Sequence, residues 1–354
     1  MRIEGDTVCF KETDMHFVKQ FGLDVATEMV LDYDTYNNTP FIYDIIQLAS
    51  FLHLKTKWIH DVLNNIPKHY RRYQIPKKSG GIRYLDEPIG RLRTAQRRIN
   101  DEILCWLRPS PYATAYHFDA HLADNASPHV GKRFLLKMDI TDFFGSIRFD
   151  MVLSSAFNTS RYPTHIGTML TSFCCLDDVL PQGACTSPAL SNLVMKNFDD
   201  TFGEWCRLHN FSYTRYSDDI TISGNKSLYP AYRFAKDMLN KMGFEINERK
   251  THFITNASRQ IVTGLTVNTK VNINSDYKRK LRQELYYAIK YGIPDVVLRQ
   301  QMKDYIESNT PETGYVRYYK NLMGRINYVL SIEPNNTYFI KAKERLHEKR
   351  FDLK

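Results

Sequence analysis

The sequence predicts an α+β core followed by a helical C-terminal unit, and three observations carry that expectation. Through residues 67–270, short β-like runs and helical periods alternate without the strict strand-helix-strand order of a parallel sheet. From Asp276 onward the pattern is helical alone, with broken connections at Gly292, Pro294, Pro311, Gly314 and Pro334. At 354 residues the chain is also longer than one compact core usually serves. We therefore expect three segments: helical residues 1–66, a mixed domain over 67–270 and helical residues 271–354.

In the first segment Ile45, Ile46, Leu48, Ala49, Leu52 and Leu54 make an apolar helical face, which Trp58, Ile59, Val62 and Leu63 continue after a polar break. Two β-like runs then flank Ser79-Gly80-Gly81 in HYRRYQIPKKSGGIRYLDEP, and that punctuation predicts a hairpin. An arginine-rich helix follows over 92–107. RFLLKMDI (133–140) is a short apolar strand ending in a carboxylate, and residues 150–173 and 188–208 have helical periods. FSYTRYSDDITISG (211–224) reads as strand, tight turn, strand; residues 229–243 read as a helix, and QIVTGLTVN (260–268) as one further strand.

The 48 Lys and Arg outnumber 39 Asp and Glu, a formal charge of +9 that suits a polyanionic partner such as nucleic acid. Its placement is uneven: −5 over 1–66, +7 over 67–110, +1 over 111–270 and +6 over 271–354. Two basic blocks thus flank a nearly neutral centre, as two walls of a channel would. The six cysteines show no CxxC or Cys/His spacing of a zinc site and read as reduced core thiols of a cytosolic protein. The N-terminus has acids and no apolar core segment, and no run approaches 18 apolar residues, so neither secretion nor membrane spanning is expected.

Asp139 ends a strand otherwise too apolar to carry a charge without purpose, because a buried carboxylate costs desolvation unless solvated, paired or metal-bound. Asp218 and Asp219 sit where the 211–224 hairpin turns. Should that hairpin lie beside the Asp139 strand, three carboxylates converge, a donor set suited to hard divalent cations such as Mg²⁺. Two such ions can activate a sugar hydroxyl and stabilise in-line displacement at phosphorus. Asp-Asp pairs also stand at 177–178 and 199–200, so the pair alone decides little; the order of the surrounding motifs decides more.

In that order the chain resembles the reverse transcriptases. IPKKSGGIR resembles the fingers stretch, LLKMDITDFF the first palm motif, LPQGACTSP the loop-and-helix motif, YSDD the metal-binding hairpin and GFEINERKT the motif after it. Ser217 stands where relatives commonly carry Ala or Met. Asn125-Ala-Ser-Pro-His129 and Val262-Thr263-Gly264 match signatures of the retron branch, and LMGRINYVLSIEP (322–334) is similar to its thumb helix. The resemblance covers roughly residues 45–335 and leaves the first 40 or so unplaced.

The resemblance implies a right-hand polymerase fold of fingers, palm and helical thumb, making DNA on an RNA template with deoxynucleoside triphosphates and two Mg²⁺ ions, Mn²⁺ being an alternative. Asp139, Asp218 and Asp219 would hold the metals with the carbonyl of Ile140, and Lys250 would be a general acid toward pyrophosphate or a plain surface lysine. Phe144 would reject ribonucleotides at the sugar 2′ carbon or be plain core; Lys77, Lys78 and Arg83 would clamp the triphosphate, with either lysine able to reach it, or form a solvated hairpin; Gln182 would border the nucleotide and Gly183 let the backbone approach closely, a simple loop turn being the alternative. Asn125, His129, Val262, Thr263, Gly264, Arg317, Lys320 and Arg325 are candidates for RNA contact, Asn125 and His129 alternatively orienting the backbone. The retron branch further implies a dedicated structured non-coding RNA as template and primer, and a first nucleotide joined to a guanosine 2′-OH. The product would be RNA-linked single-stranded DNA (msDNA), carried as an RNA–DNA hybrid, with a separate effector protein in bacterial antiphage defence. Other bacterial defence or intron-type reverse transcriptases, or an RNA- or effector-binding scaffold, are the rival readings.

Overall fold

The computed structural model describes residues 2–4, 7–11, 14–37, 39–76, 80–117, 119–299, 301–302 and 311–348. They fall into two compact units, the first built from residues 1–120, 136–223 and 227–253, the second from 121–135, 224–226 and 254–354. Residues 254–270, expected with the central domain, thus cluster with the C-terminal helices.

The first unit opens on a hairpin, β1 (Arg2–Glu4) and β2 (Thr7–Cys9), so the N-terminal segment is not helical throughout. After α1 (Met15–Phe21) and α2 (Leu23–Asn37), Phe17, Ala26 and Val30 form a small local core, with the Phe17 ring 5.1 to 5.4 Å from those of Phe21, Phe41 and Tyr43. The next helix, α3 (Ile45–Leu52), begins where the Asp44 carboxylate accepts from the backbone N–H groups of Ile46 and Gln47 at 2.9 Å, satisfying donors a helix start leaves unpaired. Helix α4 (Thr56–Leu63) buries Ile59 and Val62.

The basic hairpin is β3 (Tyr70–Pro76) and β4 (Ile82–Pro88), antiparallel from Tyr70 opposite Pro88 to Pro76 opposite Ile82. Helix α5 (Gly90–Glu102) buries Leu92, Ala95, Gln96 and Ile99 and leaves Arg91 and Arg97 exposed. The chain passes through α6 (Leu122–Ala126) of the second unit and re-enters the first within β5 (Phe134–Asp139).

Helices α7 (Phe149–Ala156), α8 (Thr164–Cys174), α9 (Ser187–Val194) and α10 (Lys196–Leu208) follow, and Pro163 marks the break between the first two. Strands β6 (Ser212–Tyr216) and β7 (Asp219–Gly224) pair antiparallel, helix α11 (Tyr229–Lys241) comes next, and β8 (His252–Thr255) completes a sheet of order β6-β7-β5-β8. The sheet buries Leu136, Met138, Tyr213, Ile220 and Ile222. Phe202 of α10 meets the Tyr213 ring edge-on at 4.9 Å, which fixes helix to sheet through an oriented aromatic pair.

In the second unit, β9 (Ile261–Val262) and β10 (Leu265–Thr266) form a tight hairpin where one strand was expected, with β11 (Asn272–Ile273) on the far side of β10. Thr263 and Gly264 both have positive φ, +44° and +83°, the requirement of a two-residue hairpin turn that matches strand twist. Helices α12 (Ser275–Tyr291), α13 (Ile293–Arg299), α14 (Pro311–Ile332) and α15 (Thr337–Glu348) enclose a core that includes Leu281, Leu285, Leu322, Ile326, Val329 and Phe339. Half of the expected core thiols lie elsewhere: Cys174, Cys175 and Cys206 are buried, whereas Cys9, Cys105 and Cys185 are exposed, and all six are free. Among the described residues no helix is long and apolar enough to cross a membrane.

Candidate active site

The Tyr-Ser-Asp-Asp sequence forms the turn between β6 and β7, where Tyr216 pairs with Asp219 across the two loop residues Ser217 and Asp218. Ser217 takes φ +61°, as the first residue of a tight hairpin turn does. The Asp139 strand lies beside this hairpin: the Ile140 N–H donates to the Asp218 carbonyl at 3.1 Å. On its other edge the same strand end meets residues 245–247, through Thr141 N–H to the Glu245 carbonyl and Asn247 N–H to the Asp139 carbonyl, both 2.8 Å. Because N–H and C=O of an extended residue face the same edge, the Ile140 carbonyl faces the hairpin.

Each flanking carboxylate has a lysine. Lys250 donates to both oxygens of Asp139 at 2.9 Å, and Lys137 lies 3.1 Å from Asp219. Burial raises the pKa of Asp218, and the Asp139 charge raises it further; burial raises that of Asp219 against the lowering pull of Lys137. Among the described residues no group of three or more His, Cys, Asp or Glu side chains stands ready to hold a metal ion. The donor chemistry nevertheless fits a hard divalent cation: Asp139 ends β5, Asp218 lies in the turn and Asp219 begins β7, and the Asp139 charge raises the pKa of both others. An ion bound there would take over the charge balance that Lys137 and Lys250 supply.

Phe144 is half-buried, its ring 5.4 Å from that of Phe143, which turns into the core toward Phe244. Arg83 is exposed on β4 opposite Ile75, while Lys77 and Lys78 lie outside the described residues. Gln182 is half-buried, and its carbonyl accepts from the Asp86 N–H at 2.8 Å. A Cβ on Gly183 would stand 2.8 Å from the Asp86 carbonyl oxygen, so the close approach that this glycine permits is to the backbone of β4. That contact gives Gly183 a structural reason to be glycine beside any role toward a nucleotide; the LPQG loop and the basic hairpin are one packed assembly, with Arg72 and Asp86 ion-paired at 2.7 Å across the hairpin.

The RNA-contact candidates divide. Asn125, His129 and Val262 have no exposed surface, and a side chain wholly inside cannot touch an RNA laid on the protein; their expected contact is corrected to a packing role. The two signatures meet instead, Asn125 Nδ2 lying 3.4 Å from Thr263 Oγ1 at the β9–β10 turn. Gly264 is exposed and Thr263 half-buried at that turn. Arg317 and Lys320 are exposed on α14, but Arg325 is half-buried and ion-paired with Glu284 of α12, so its guanidinium joins two helices.

A buried network beneath the turn was not expected from the motifs. Arg215 of β6 and Asp199 of α10 form an ion pair with no exposed side-chain surface, Nε and Nη2 reaching the two carboxylate oxygens at 2.9 and 2.6 Å. The same guanidinium donates to the Ser217 carbonyl at 2.9 Å and to Asn192 Oδ1 of α9 at 3.2 Å, and the Tyr213 hydroxyl donates to Asp199 at 2.6 Å. These hydrogen bonds, which make such a buried charge tolerable, tie the Ser217 carbonyl through Arg215 to α9 and α10. The sequence signal was an arginine inside a strand otherwise rich in β-formers; Asp199 looked like one of several Asp-Asp pairs.

The reverse transcriptase (RNA-dependent DNA polymerase) family model matches residues 75–283. A retron Mx65 reverse transcriptase of Myxococcus xanthus is 33% identical over 62% of this chain, which spans 56% of that protein. The retron Ec86 and Ec83 reverse transcriptases of Escherichia coli are 31% and 30% identical over 62% and 63% of this chain, and 69% and 77% of their own lengths are covered. A telomerase from Candida albicans, solved with a fragment of telomeric RNA, aligns with a TM-score of 0.46 at 11% identity, covering 86% of this chain and 66% of that one. With the family's palm motifs gathered at one sheet end and these relatives beside it, the chain belongs to the reverse transcriptase family and, within it, to the retron reverse transcriptases.

Proposed function

We propose that this protein is the RNA-directed DNA polymerase of a retron, copying a dedicated structured RNA into RNA-linked single-stranded DNA primed from a guanosine 2′-OH, in the service of antiphage defence. The observation that carries the polymerase reading is that the end of the Asp139 strand adjoins the turn bearing Asp218 and Asp219, with the Asp218 carbonyl bonded to the Ile140 N–H. These carboxylates, with the Ile140 carbonyl, would hold Mg²⁺, and the chemistry it would supply when bound is the charge that favours a sugar alkoxide and stabilises displacement at phosphorus. Lys250, which donates to Asp139, would be the general acid toward the departing pyrophosphate, and its contact with the carboxylate group of the site supports that role. Phe144 limits the room beside the incoming sugar, and Arg83, with Lys77 and Lys78, neutralises the triphosphate.

Similarity to retron reverse transcriptases supports the retron reading, of which the dedicated RNA, the branched product and a separate effector are the further parts proposed. The test is to purify the protein from its native host and sequence the nucleic acid that travels with it. A discrete DNA of defined length, covalently joined to RNA through a 2′ linkage, is expected. DNA without linked RNA favours another priming mode, and RNA alone favours a scaffold.

A further inference from the structure

We propose that Tyr116 is a positioning residue for the catalytic turn, acting through a hydrogen bond to Ser217 that governs how firmly Asp218 and Asp219 are held. The inference starts from strain. Ser217 is a non-glycine residue at φ +61°, and such a conformation persists only where its surroundings over-determine it. They do so here on the main chain: the Ser217 carbonyl accepts from Arg215 at 2.9 Å, and the Asp218 carbonyl accepts from Ile140 at 3.1 Å. The side chain is held separately, by the Tyr116 hydroxyl at 3.0 Å from Ser217 Oγ.

Tyr116 is not a chance surface neighbour. Residues 112–115 are strapped along β6 and α9: Arg215 N–H donates to the Tyr112 carbonyl and Thr114 N–H to the Arg215 carbonyl, both at 2.8 Å, while Asn192 Nδ2 donates to the Ala115 carbonyl at 2.7 Å. The strap ends in Tyr116, itself at φ +66°, with its ring 6.4 Å from that of Tyr216 and 44% exposed. Tyr216 is directly opposite Asp219 in the hairpin, and directly opposed residues share a face. A strained tyrosine on a fixed strap therefore reaches the Ser217 side chain, which neither of the main-chain bonds from Arg215 and Ile140 holds. An alanine at 217 would remove the hydroxyl partner and leave the main-chain bonds intact, so the latch depends on serine at this position.

The proposal rests on the polymerase reading, and its test separates the two. Single-nucleotide extension of a DNA primer on an RNA template with Mg²⁺ compares the full chain with Tyr116→Phe, Ser217→Ala, Ser217→Gly and the Tyr116→Phe/Ser217→Ala pair. Each single variant is expected to lose about fivefold in kcat, the worth of one neutral hydrogen bond, with nucleotide KM unchanged and Tm lowered by no more than about 2 °C. The paired variant should lose no more than the worse single, because both changes remove the same bond. Ser217→Gly relieves the positive φ but lacks the hydroxyl, so a recovered kcat there assigns the effect to strain and overturns the latch. Additive losses, or an unchanged kcat in Tyr116→Phe, overturn it too. Hydrogen exchange at the 216–220 amides reads the latch without catalysis: Tyr116→Phe should speed it about fivefold, and unchanged exchange sinks the proposal whether or not the protein extends a primer.

Discussion

At the residue scale the site is a balance of charges on strand ends. Three carboxylates repel one another, and Lys137 and Lys250 offset that repulsion. Replacing Asp218→Asn with Asp219→Asn keeps shape and removes charge, so DNA synthesis should fall about a thousandfold or more while RNA binding in a filter assay stays near normal. Synthesis at the normal rate would remove the metal assignment. Phe144→Ala should let ribonucleotides compete in the same primer-extension assay; unchanged sugar selection removes its gate role. The buried pair predicts a different kind of loss. Arg215→Met leaves Asp199 uncompensated in the interior, and denaturant unfolding should show a cost of about 3 to 5 kcal/mol. A cost below about 1 kcal/mol would mean that water or another donor replaces the guanidinium. Asp139, Asp218 and Asp219 were legible in the sequence because each sits in a run whose local pattern already demands a strand end or a turn. Asp199 was not, because its meaning lies in a partner 16 residues away on another element.

At the element scale, hairpins explain most of what the sequence left undecided. QIVTGLTVN read as one strand because its apolar residues outnumber its turn signals, yet Thr263-Gly264 turns back so that Val262 and Leu265 pair and are both buried. Asn125 reaches this turn from α6, and His129 lies three residues after that helix, with no exposed surface. Burial, and then the Lys132 charge, push the His129 pKa down to about 3 from an ordinary value near 6.5. The unfolded chain therefore binds a proton that the folded chain refuses. This contribution is complete above pH about 6.5 and is lost toward pH 3 at about 1.4 kcal/mol per unit. Urea unfolding at pH 7, 6 and 5 should show that slope, and His129→Gln should flatten it; an equal slope in both proteins would place the acid sensitivity elsewhere. The fit of Gly183 against Asp86 belongs to the same scale, since no local pattern in LPQG names β4 as its neighbour.

At the scale of the whole molecule, the uneven charge is the feature that bears on binding. The +7 stretch contains the β3–β4 hairpin and α5, and the +6 stretch contains α12 to α15. Not all of that charge is available: Arg72, Arg325 and Lys278 are committed to Asp86, Glu284 and Glu333, while Arg83, Arg91, Arg97 and Lys320 are exposed. If exposed cations bind RNA phosphates, the logarithm of the affinity for structured RNA should fall linearly with the logarithm of salt, by about 0.7 to 0.9 per phosphate contact. Affinity that ignores salt would exclude these stretches as the binding surface. By itself the sequence determined the order of motifs, the strand ending in Asp139, the Tyr-Ser-Asp-Asp turn, the basic hairpin and the helical C-terminal region, because alternation, turn residues and helical periods act over a few positions. Only the tertiary structure decided that Lys250 and Lys137 hold the carboxylates, that Arg215 and Asp199 support the turn, and that Asn125 meets Thr263 instead of facing solvent. Those contacts join residues distant in sequence, and a charged or polar side chain reveals whether it is solvated, paired or buried only when its neighbours in space are known.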